Sequence, residues 1–316
     1  MTRPRIVCVV GPTASGKTAL AIELAERTGA EIVSADSRQA YRHLDIGTAK
    51  PTPSERERVR HHCLDLVEPD ETFDAARFRS AAETALADIR ARGRHALVVG
   101  GTGLYVRALL RGLCPAPPAA PELRATLTRL ATTEGTPALH RRLATLDPPT
   151  AARVHPRDAV RIVRALEVGL VSGRRLSEWQ AGHRFAAAAY EPLIIGLAWP
   201  VPALDERIAI RARAMVDAGF LDEVRDLARR GLPAESPGFQ AVGYRELRAC
   251  VEGRLALPQA LDATVRATRR FAKRQRTWFR REPGVLWRHP EEERERIGTE
   301  VEAFLRGETG PASVPA

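Results

Sequence analysis

The sequence has 316 residues, and its 49 lysines and arginines against 39 aspartates and glutamates leave a net charge of +10 with neutral histidines. Apolar residues make up 44% and charged residues 28%, which is ordinary for a globular protein and excludes general disorder. No stretch approaches the roughly 20 apolar residues of a membrane-spanning helix, and an apolar run begins too early to leave room for a signal peptide. We therefore expect a cytoplasmic protein without a membrane partner.

Short apolar runs alternate with helical patterns in the first third of the chain. The pattern predicts strands at Arg5–Val10, Glu31–Ala35 and Ala96–Val99. It predicts helices between them at Lys17–Thr28 and Phe73–Arg92. Strands that alternate with helices indicate a parallel α/β sheet, in which ligands bind at the carboxyl ends of the strands.

Prolines interrupt this alternation in the middle of the chain. The segment 114–121, CPAPPAAP, can continue neither a helix nor a central strand. Only helical patterns follow it, which predicts an all-helical insertion domain over residues 115–188. The α/β core would then be discontinuous, with residues 1–114 and 189–308, and residues 309–316 would form a flexible tail.

The last part of the chain returns to alternating elements. The pattern predicts a strand at Leu193–Trp199 and a second, short strand at Val285–Trp287. Helical periodicity predicts that Ala203–Arg230 and Leu257–Arg281 are both helical.

A glycine-rich loop follows the first predicted strand and opens the first predicted helix. Its residues match the GxxxxGK[ST] motif in full and in its required context; they are Gly11, Pro12, Thr13, Ala14, Ser15, Gly16, Lys17 and Thr18. The backbone N–H groups, the helix N-terminus and the Lys17 ammonium suit a di- or triphosphate, without establishing ATP as the nucleotide. The Thr18 hydroxyl suits Mg²⁺. The predicted fold class is therefore α/β, a P-loop NTPase-like parallel sheet flanked by helices, with the helical insertion domain.

The acid that usually completes such a site is not where ATP hydrolysis would need it. The usual partner is an Asp that ends a strand of four or more apolar residues and helps to hold Mg²⁺. Ala96–Val99 is such a strand, but Gly-Gly-Thr-Gly follows it. The only acid that ends an early strand is Asp36. This arrangement favours a reaction in which the bound phosphate belongs to a donor or leaving group.

Six segments together resemble one family, the tRNA dimethylallyltransferases. They are residues 11–18, 34–51 (SADSRQAYRHLDIGTAKP), 98–113 (VVGGTGLYVRALLRGL), 155–168 (HPRDAVRIVRALEV), 241–247 (AVGYREL) and 272–282 (AKRQRTWFRRE). The second and last segments are far more discriminating than the P-loop, which many folds share. The resemblance implies the transfer of a dimethylallyl group from dimethylallyl diphosphate to the exocyclic amine of the adenosine 3′ of the anticodon in tRNA, with Mg²⁺ as cofactor.

The resemblance also implies three catalytic residues. Asp36 would be the general base for the adenine amine, a poor nucleophile whose lone pair is delocalised into the ring. Arg211 would neutralise the departing diphosphate together with Lys17, and Thr102 would be a polar contact at the reaction centre. The alternative roles are a helix N-cap or an indirect contact with Mg²⁺ through its water ligands for Asp36, a solvated side chain for Arg211 and a turn residue for Thr102.

The same resemblance implies how the anticodon stem-loop of tRNA is bound, because a stacked base must be flipped out to reach a buried phosphate site. The implied tRNA contacts are Asp36, Ser37, Arg38, Gln39, Thr102, Arg124, Val160, Arg161, Ile162, Val163, Arg164, Gln240, Ala241, Val242, Gly243, Tyr244, Arg245, Lys273, Arg274, Gln275, Arg276, Thr277, Trp278, Phe279 and Arg280. Charge supports the last group, because residues 266–281 contain eight basic side chains and no acid. Trp278 could stack on a base or belong to the helix core.

Two other functions share parts of this pattern. A P-loop small-molecule or nucleotide kinase would use the loop and an arginine-rich helical lid, but it does not account for the basic helix at 266–281 or for the length of the insertion. A nucleotide-gated RNA-binding protein without catalysis would leave Asp36 without a role. A monomer is expected from the resemblance alone.

Overall fold

The computed structural model of the protein describes residues 3–183 and 189–308. The chain divides into two compact units, Met1–Leu110 with Ala189–Ala316, and Arg111–Ala188. The predicted flexible tail lies outside the described residues, as do residues 184–188 of the predicted insertion.

A parallel sheet is the centre of the first unit, which confirms the predicted fold class. Its six strands are β1 (Arg5–Val10), β2 (Glu31–Ser34), β3 (His61–His62), β4 (Ala96–Gly100), β5 (Glu191–Leu197) and β6 (Val285–Arg288). They lie in the order β3-β2-β4-β1-β5-β6, and every neighbouring pair is parallel. The carboxyl ends of all six strands therefore meet at one edge of the sheet.

The described residues form fourteen α-helices and one 3-10 helix. They are α1 (Lys17–Thr28), α2 (Pro53–Arg58), α3 (Ala75–Ala91), α4 (Gly103–Arg111), α5 (Pro121–Thr133), α6 (Thr136–Leu146), α7 (Pro148–Ala151), α8 (Ala159–Ser172), α9 (Leu176–His183), α10 (Val201–Asp217), α11 (Phe220–Arg229), α12 (Tyr244–Val251), α13 (Leu257–Phe279) and α14 (Arg294–Arg306), with the 3-10 helix at Pro237–Gln240.

The predicted helical segment Ala203–Arg230 is confirmed as helical, and it consists of two helices because the chain ends one helix and begins another inside it. Gly219 has a φ of 99°, a left-handed backbone conformation that residues with a Cβ rarely adopt, and it separates α10 from α11. The sequence pattern also omitted α14, whose Val301 and Phe304 belong to the same buried core as the central strands and α1.

The second unit is all-helical over its described residues and has a hydrophobic core of its own. Leu139 and Leu143 of α6 and Ile162 of α8 are fully buried in this core. The buried Asp147 accepts hydrogen bonds from the Thr150 hydroxyl at 2.7 Å and from the Ser177 amide at 2.9 Å, so its charge is compensated.

The described helices include none that combines the length and the apolar character needed to cross a membrane.

Candidate active site

The glycine-rich loop joins β1 to α1 at the carboxyl edge of the sheet, and groups from the segment after β5 hold its shape. Ala14 has a φ of 66°, unusual for a residue with a Cβ, and its carbonyl accepts a hydrogen bond from Arg207 Nε at 3.1 Å. The Ser15 carbonyl accepts one from Trp199 Nε1, also at 3.1 Å. The Arg207 guanidinium lies 4.2 Å from the centre of the Trp199 ring, so the two supports stabilise each other.

Lys17 begins α1, and its Nζ donates to the Pro12 carbonyl at 2.7 Å. Burial lowers the pKa of Lys17 to about 8; the charge of Asp36 opposes this shift, and that of Arg211 adds to it. Asp36 and Arg211 line the same cleft as the phosphate loop, which agrees with these effects on the pKa of Lys17. An anion bound here would favour the charged form of the lysine.

Asp36 and Thr102 come together where β2 and β4 end. Asp36 Oδ1 accepts a hydrogen bond from Arg38 N at 2.8 Å, whereas no group in the described part of the chain donates to Oδ2. Ser37 N donates to Thr102 Oγ1 at 3.0 Å, and Thr102 N donates to the Ala35 carbonyl at 3.2 Å. These bonds orient one carboxylate oxygen and leave the other for a ligand.

Arg211 extends from α10 to the phosphate loop, where its guanidinium donates to the Thr13 hydroxyl. Burial lowers the pKa of Arg211 to about 10, and the charge of Asp36 opposes this shift. The structure thus brings the three predicted catalytic residues and the loop into one site.

Two cavities meet at this site. The larger, of about 740 Å³, is a cleft between the phosphate loop, α10 and the segment 45–55. The smaller, of about 170 Å³, has apolar walls that include Ile208, Phe220 and Phe271. The residues that line both are Thr13, Asp36, Thr48, Arg211 and Met215. A ligand anchored at the phosphate loop can therefore meet, beside Asp36, a second ligand held in the smaller cavity.

Glu223 holds the segment that borders both cavities, and sequence analysis missed it. Its carboxylate accepts hydrogen bonds from the backbone N–H groups of Asp45, Ile46 and Gly47 at 2.9, 2.8 and 3.1 Å. The Tyr244 hydroxyl donates to it at 2.5 Å. A Cβ at Gly47 would lie 2.1 Å from the Phe220 ring, so only glycine permits this close approach.

Lys50 and Gln39 hold the other end of the same segment. The buried Lys50 ammonium donates to the Tyr41 carbonyl, Asp45 and Asp65 at 2.8, 2.5 and 2.7 Å. Gln39 Nε2 donates to the Ala49 carbonyl at 3.0 Å, and its Oε1 accepts from Ser34 Oγ at 2.9 Å. The Gln39 amide, predicted to contact tRNA, is thus engaged within the protein.

Gln275 has a similar internal role in the structure. This buried side chain accepts from Thr13 N at 2.8 Å and donates to the Gly101 carbonyl at 3.0 Å. It ties the phosphate loop to the loop after β4.

Nearby, the Trp278 ring packs so closely on α4 that a Cβ at Gly103 would lie 2.0 Å from it, and the Arg107 guanidinium lies 4.5 Å from its centre. The ring therefore belongs to a helix contact in this structure.

The predicted tRNA contacts divide by exposure. The exposed ones are Arg124, Val160, Arg161, Gln240, Arg245, Lys273, Arg274, Thr277 and Arg280. The half-buried ones are Asp36, Ser37, Arg38, Gln39, Thr102, Arg164, Val242, Arg276 and Trp278. The buried ones are Ile162, Val163, Ala241, Gly243, Tyr244, Gln275 and Phe279. In this conformation most of the buried side chains serve internal packing, whereas Ala241 also lines the smaller cavity.

Two of these arginines are paired inside the second unit. Glu167 has a fully buried side chain that accepts from Arg124 at 2.7 Å and from Arg164 at 2.6 Å. Burial would raise the pKa of Glu167, but the hydrogen bonds from both arginines outweigh it and lower that pKa.

The donor set at the cleft fits Mg²⁺. In the described ranges no group of three or more His, Cys, Asp or Glu side chains is placed to hold a metal ion by itself. Thr18 and Asp36 nevertheless offer oxygen atoms to the cleft. Mg²⁺ is usually held by a few protein oxygens together with the phosphates of a substrate, so this sparse set is the type expected.

The similarity of the chain to known proteins is extensive. The family model for IPP transferase matches residues 39–282. The tRNA dimethylallyltransferase of Anaeromyxobacter dehalogenans strain 2CP-C is 51% identical over 301 residues, which cover 94% of this chain and 99% of that protein. The tRNA dimethylallyltransferase of Myxococcus xanthus is 49% identical over 288 residues, 91% of this chain and 93% of that protein.

Solved structures agree with this result. The tRNA isopentenylpyrophosphate transferase of Bacillus halodurans is 35% identical, has a TM-score of 0.71 and matches 96% of this chain and 98% of its own. A eukaryotic dimethylallyltransferase acting on tRNA, at 23% identity, shares the fold with a TM-score of 0.81 over 96% of this chain and 80% of its own. The chain therefore belongs to the IPP transferase family.

Proposed function

We propose that the protein transfers a dimethylallyl group from dimethylallyl diphosphate to the exocyclic amine of the adenosine 3′ of the anticodon in tRNA. Family membership makes it a prenyltransferase that modifies tRNA. The observation that carries the specific proposal is the position of Asp36, which lines both the phosphate-loop cleft and the smaller cavity. A donor in the cleft and a flipped base in the cavity would meet at this carboxylate.

The reaction exchanges one bond for another at the allylic carbon. The bond between that carbon and the diphosphate oxygen breaks, the bond to the exocyclic nitrogen forms, and the oxygen keeps the electron pair. Asp36 Oδ2 receives the amine proton, because Oδ1 is already engaged by Arg38 N. Thr102, whose Oγ1 accepts a hydrogen bond from Ser37 N, would help to orient the amine.

The negative charge of the leaving diphosphate is neutralised by groups of the phosphate loop and α10. Lys17, Arg211 and the loop N–H groups stabilise the negative charge that develops on the diphosphate. Mg²⁺, held by Thr18 and the diphosphate, would supply further positive charge there. Both basic side chains are desolvated, which strengthens their interaction with an anion.

The smaller cavity suits the acceptor base. Its apolar walls offer contact to a purine ring, and its lining also includes Arg38, Gln240 and Arg274, two of which are exposed. These side chains supply hydrogen bonds and positive charge where a flipped nucleotide would pass. Extrusion is easiest for a base in a loop, which matches the anticodon loop as substrate.

The test offers the purified protein a tRNA with adenosine 3′ of its anticodon, Mg²⁺ and either labelled dimethylallyl diphosphate or γ-labelled ATP. Prenyl label should enter the tRNA, and nuclease digestion should place it on that single adenosine. Transfer of labelled phosphate to a small acceptor, without prenyl transfer, would instead support the kinase alternative and overturn the proposal. A transcript with guanosine at the same position is the matched control and should remain unlabelled.

A further inference from the structure

A small cavity lies beside the phosphate loop and shares Lys17, Thr18, Asp36 and Gln39 with the larger cleft. It has a volume of about 30 Å³, and its polar lining consists of Lys17, Thr18, Ser34, Asp36, Gln39 and His61. A site needs roughly 10–15 Å³ and two to four polar partners to hold a water molecule. Space and polarity are therefore both sufficient for an internal water here.

His61 has one ring nitrogen that protein groups leave unused. Its Nδ1 lies 2.7 Å from the Val59 carbonyl, which can only accept, so Nδ1 carries the proton. Burial lowers the pKa of His61, which keeps the ring neutral. Nε2 is then a bare acceptor; it is buried and has no partner among the residues that the structure describes. A buried acceptor of this kind is costly unless a donor reaches it.

The hydrogen bonds of the other polar groups around the cavity limit which group can donate to His61 Nε2. The Ser34 hydroxyl already donates to Gln39 Oε1, and Gln39 Nε2 donates to the carbonyls of Thr48 and Ala49. Neither side chain has a hydrogen to spare for His61. Lys17 and Thr18 retain hydrogens, and Asp36 Oδ2 retains an acceptor site.

We infer that an internal water in this cavity links His61 to Thr18, Lys17 and Asp36, and that His61 is a positioning residue of the transfer site. The water donates to His61 Nε2 and to Asp36 and accepts from Lys17 and Thr18, which satisfies all four of its hydrogen-bonding positions. The Thr18 hydroxyl then directs its hydrogen inward and its lone pairs toward the cleft. The consequence for the reaction rests on the proposed function, but the water site itself does not.

Two substitutions separate this role from simple anchoring of the ring. His61→Asn retains a donor for the Val59 carbonyl and loses the acceptor at the Nε2 position. His61→Gln retains an acceptor near Nε2 and loses the bond to Val59. We expect His61→Asn to lower kcat for prenyl transfer by about three- to tenfold with an unchanged KM for tRNA, and His61→Gln to remain near wild type. Full activity of the Asn variant, or a loss confined to the Gln variant, would overturn the inference.

Two readouts do not depend on prenyl transfer. Isothermal titration of inorganic pyrophosphate with Mg²⁺ should show weaker binding, by about the same factor, to His61→Asn and not to His61→Gln. In ¹⁵N spectra of the wild-type protein, His61 should show a protonated Nδ1 and an unprotonated, hydrogen-bonded Nε2. A protonated Nε2, or a dry cavity in a crystal structure at water-resolving resolution, refutes the water site even if both variants fail to fold. Failure of prenyl transfer with these signals intact would count against the proposed function alone.

Discussion

At the scale of single residues, the site depends on side chains with two polar atoms, of which one is fixed by a hydrogen bond within the protein and the other is left for a ligand. Asp36 illustrates this, since Arg38 N binds Oδ1 and Oδ2 has no donor in the described chain. A carboxylate anchored in this way presents one oxygen in a defined direction, which a general base requires. The sequence could indicate Asp36 because it directly follows an apolar strand.

Asp36→Asn should therefore reduce prenyl transfer by about 10²- to 10⁴-fold, because the amide preserves the shape but accepts no proton. Affinity for tRNA should change little. Single-turnover transfer and filter binding measure the two effects. Ser37→Ala is the matched control, since Ser37 uses its backbone N–H to reach Thr102, and it should retain activity. Near-normal turnover of the Asn variant would remove Asp36 from the role of base.

The lowered pKa of Lys17 predicts that the affinity for diphosphate depends on pH. Its pKa in the free protein is about 8, so a rise in pH through this value removes the positive charge that an anion needs. Affinity for pyrophosphate should fall above pH 8, by up to about tenfold per pH unit, and stay level below pH 7. Isothermal titration from pH 6.5 to 9.5 measures this. Lys17→Arg, which keeps its charge, should lack the decline; equal slopes for both proteins would contradict the assignment.

At the scale of elements, α13 shows how one helix serves two purposes that its sequence does not distinguish. Lys273 and Arg274 are exposed, whereas Gln275 is buried between the phosphate loop and the loop after β4. All three lie in one basic segment, and the segment was predicted to contact tRNA as a whole. The helical turn decides which side chain faces inward, and that orientation depends on packing partners far away in the chain.

Gln275→Leu should raise KM for dimethylallyl diphosphate about tenfold or more and leave tRNA affinity nearly unchanged, because it removes a bond to Thr13 N and one to the Gly101 carbonyl. Arg274→Ala should show the reverse, with weaker tRNA binding and a shallower dependence on salt. Steady-state kinetics with each substrate varied separately gives both constants. A tRNA defect in Gln275→Leu that matched the one in Arg274→Ala would restore the predicted contact.

Features that depend on residues close together in the sequence could be predicted, whereas those that depend on distant residues could not. The bounds of β1 and α1 were predicted because a glycine motif and a periodic apolar pattern are local. Glu223 was missed because its partners are backbone N–H groups between 176 and 178 residues away, which leave no signature in side-chain identity. The break at Gly219 was missed because a glycine within a helical pattern does not by itself report a positive φ.

At the scale of the whole molecule, each of the two units has a separate hydrophobic core. Leu24 of α1 lies in the core beside the sheet, and Leu143 of α6 lies in the core of the helical unit. Both side chains are buried, at 1% and 0% exposure, so truncation of either leaves a cavity. Units with their own cores are expected to unfold as separate cooperative structures.

Differential scanning calorimetry should therefore resolve two transitions. Leu143→Ala should lower the midpoint of one and Leu24→Ala that of the other, each with a loss of about 2–5 kcal/mol in the free energy of unfolding of its unit. The two variants serve as controls for each other. A single transition that both variants shift alike would show that the cores unfold together.

The junction of the two cavities has a consequence for the order of events after transfer. Among the described residues, the larger cleft and the smaller cavity share only Thr13, Asp36, Thr48, Arg211 and Met215. In the proposed reaction the pyrophosphate would therefore remain in the cleft and the prenylated nucleotide in the smaller cavity. Neither product would then obstruct the exit of the other. We therefore expect the two products to leave in either order. Accumulated pyrophosphate should compete with the allylic donor without competing with RNA.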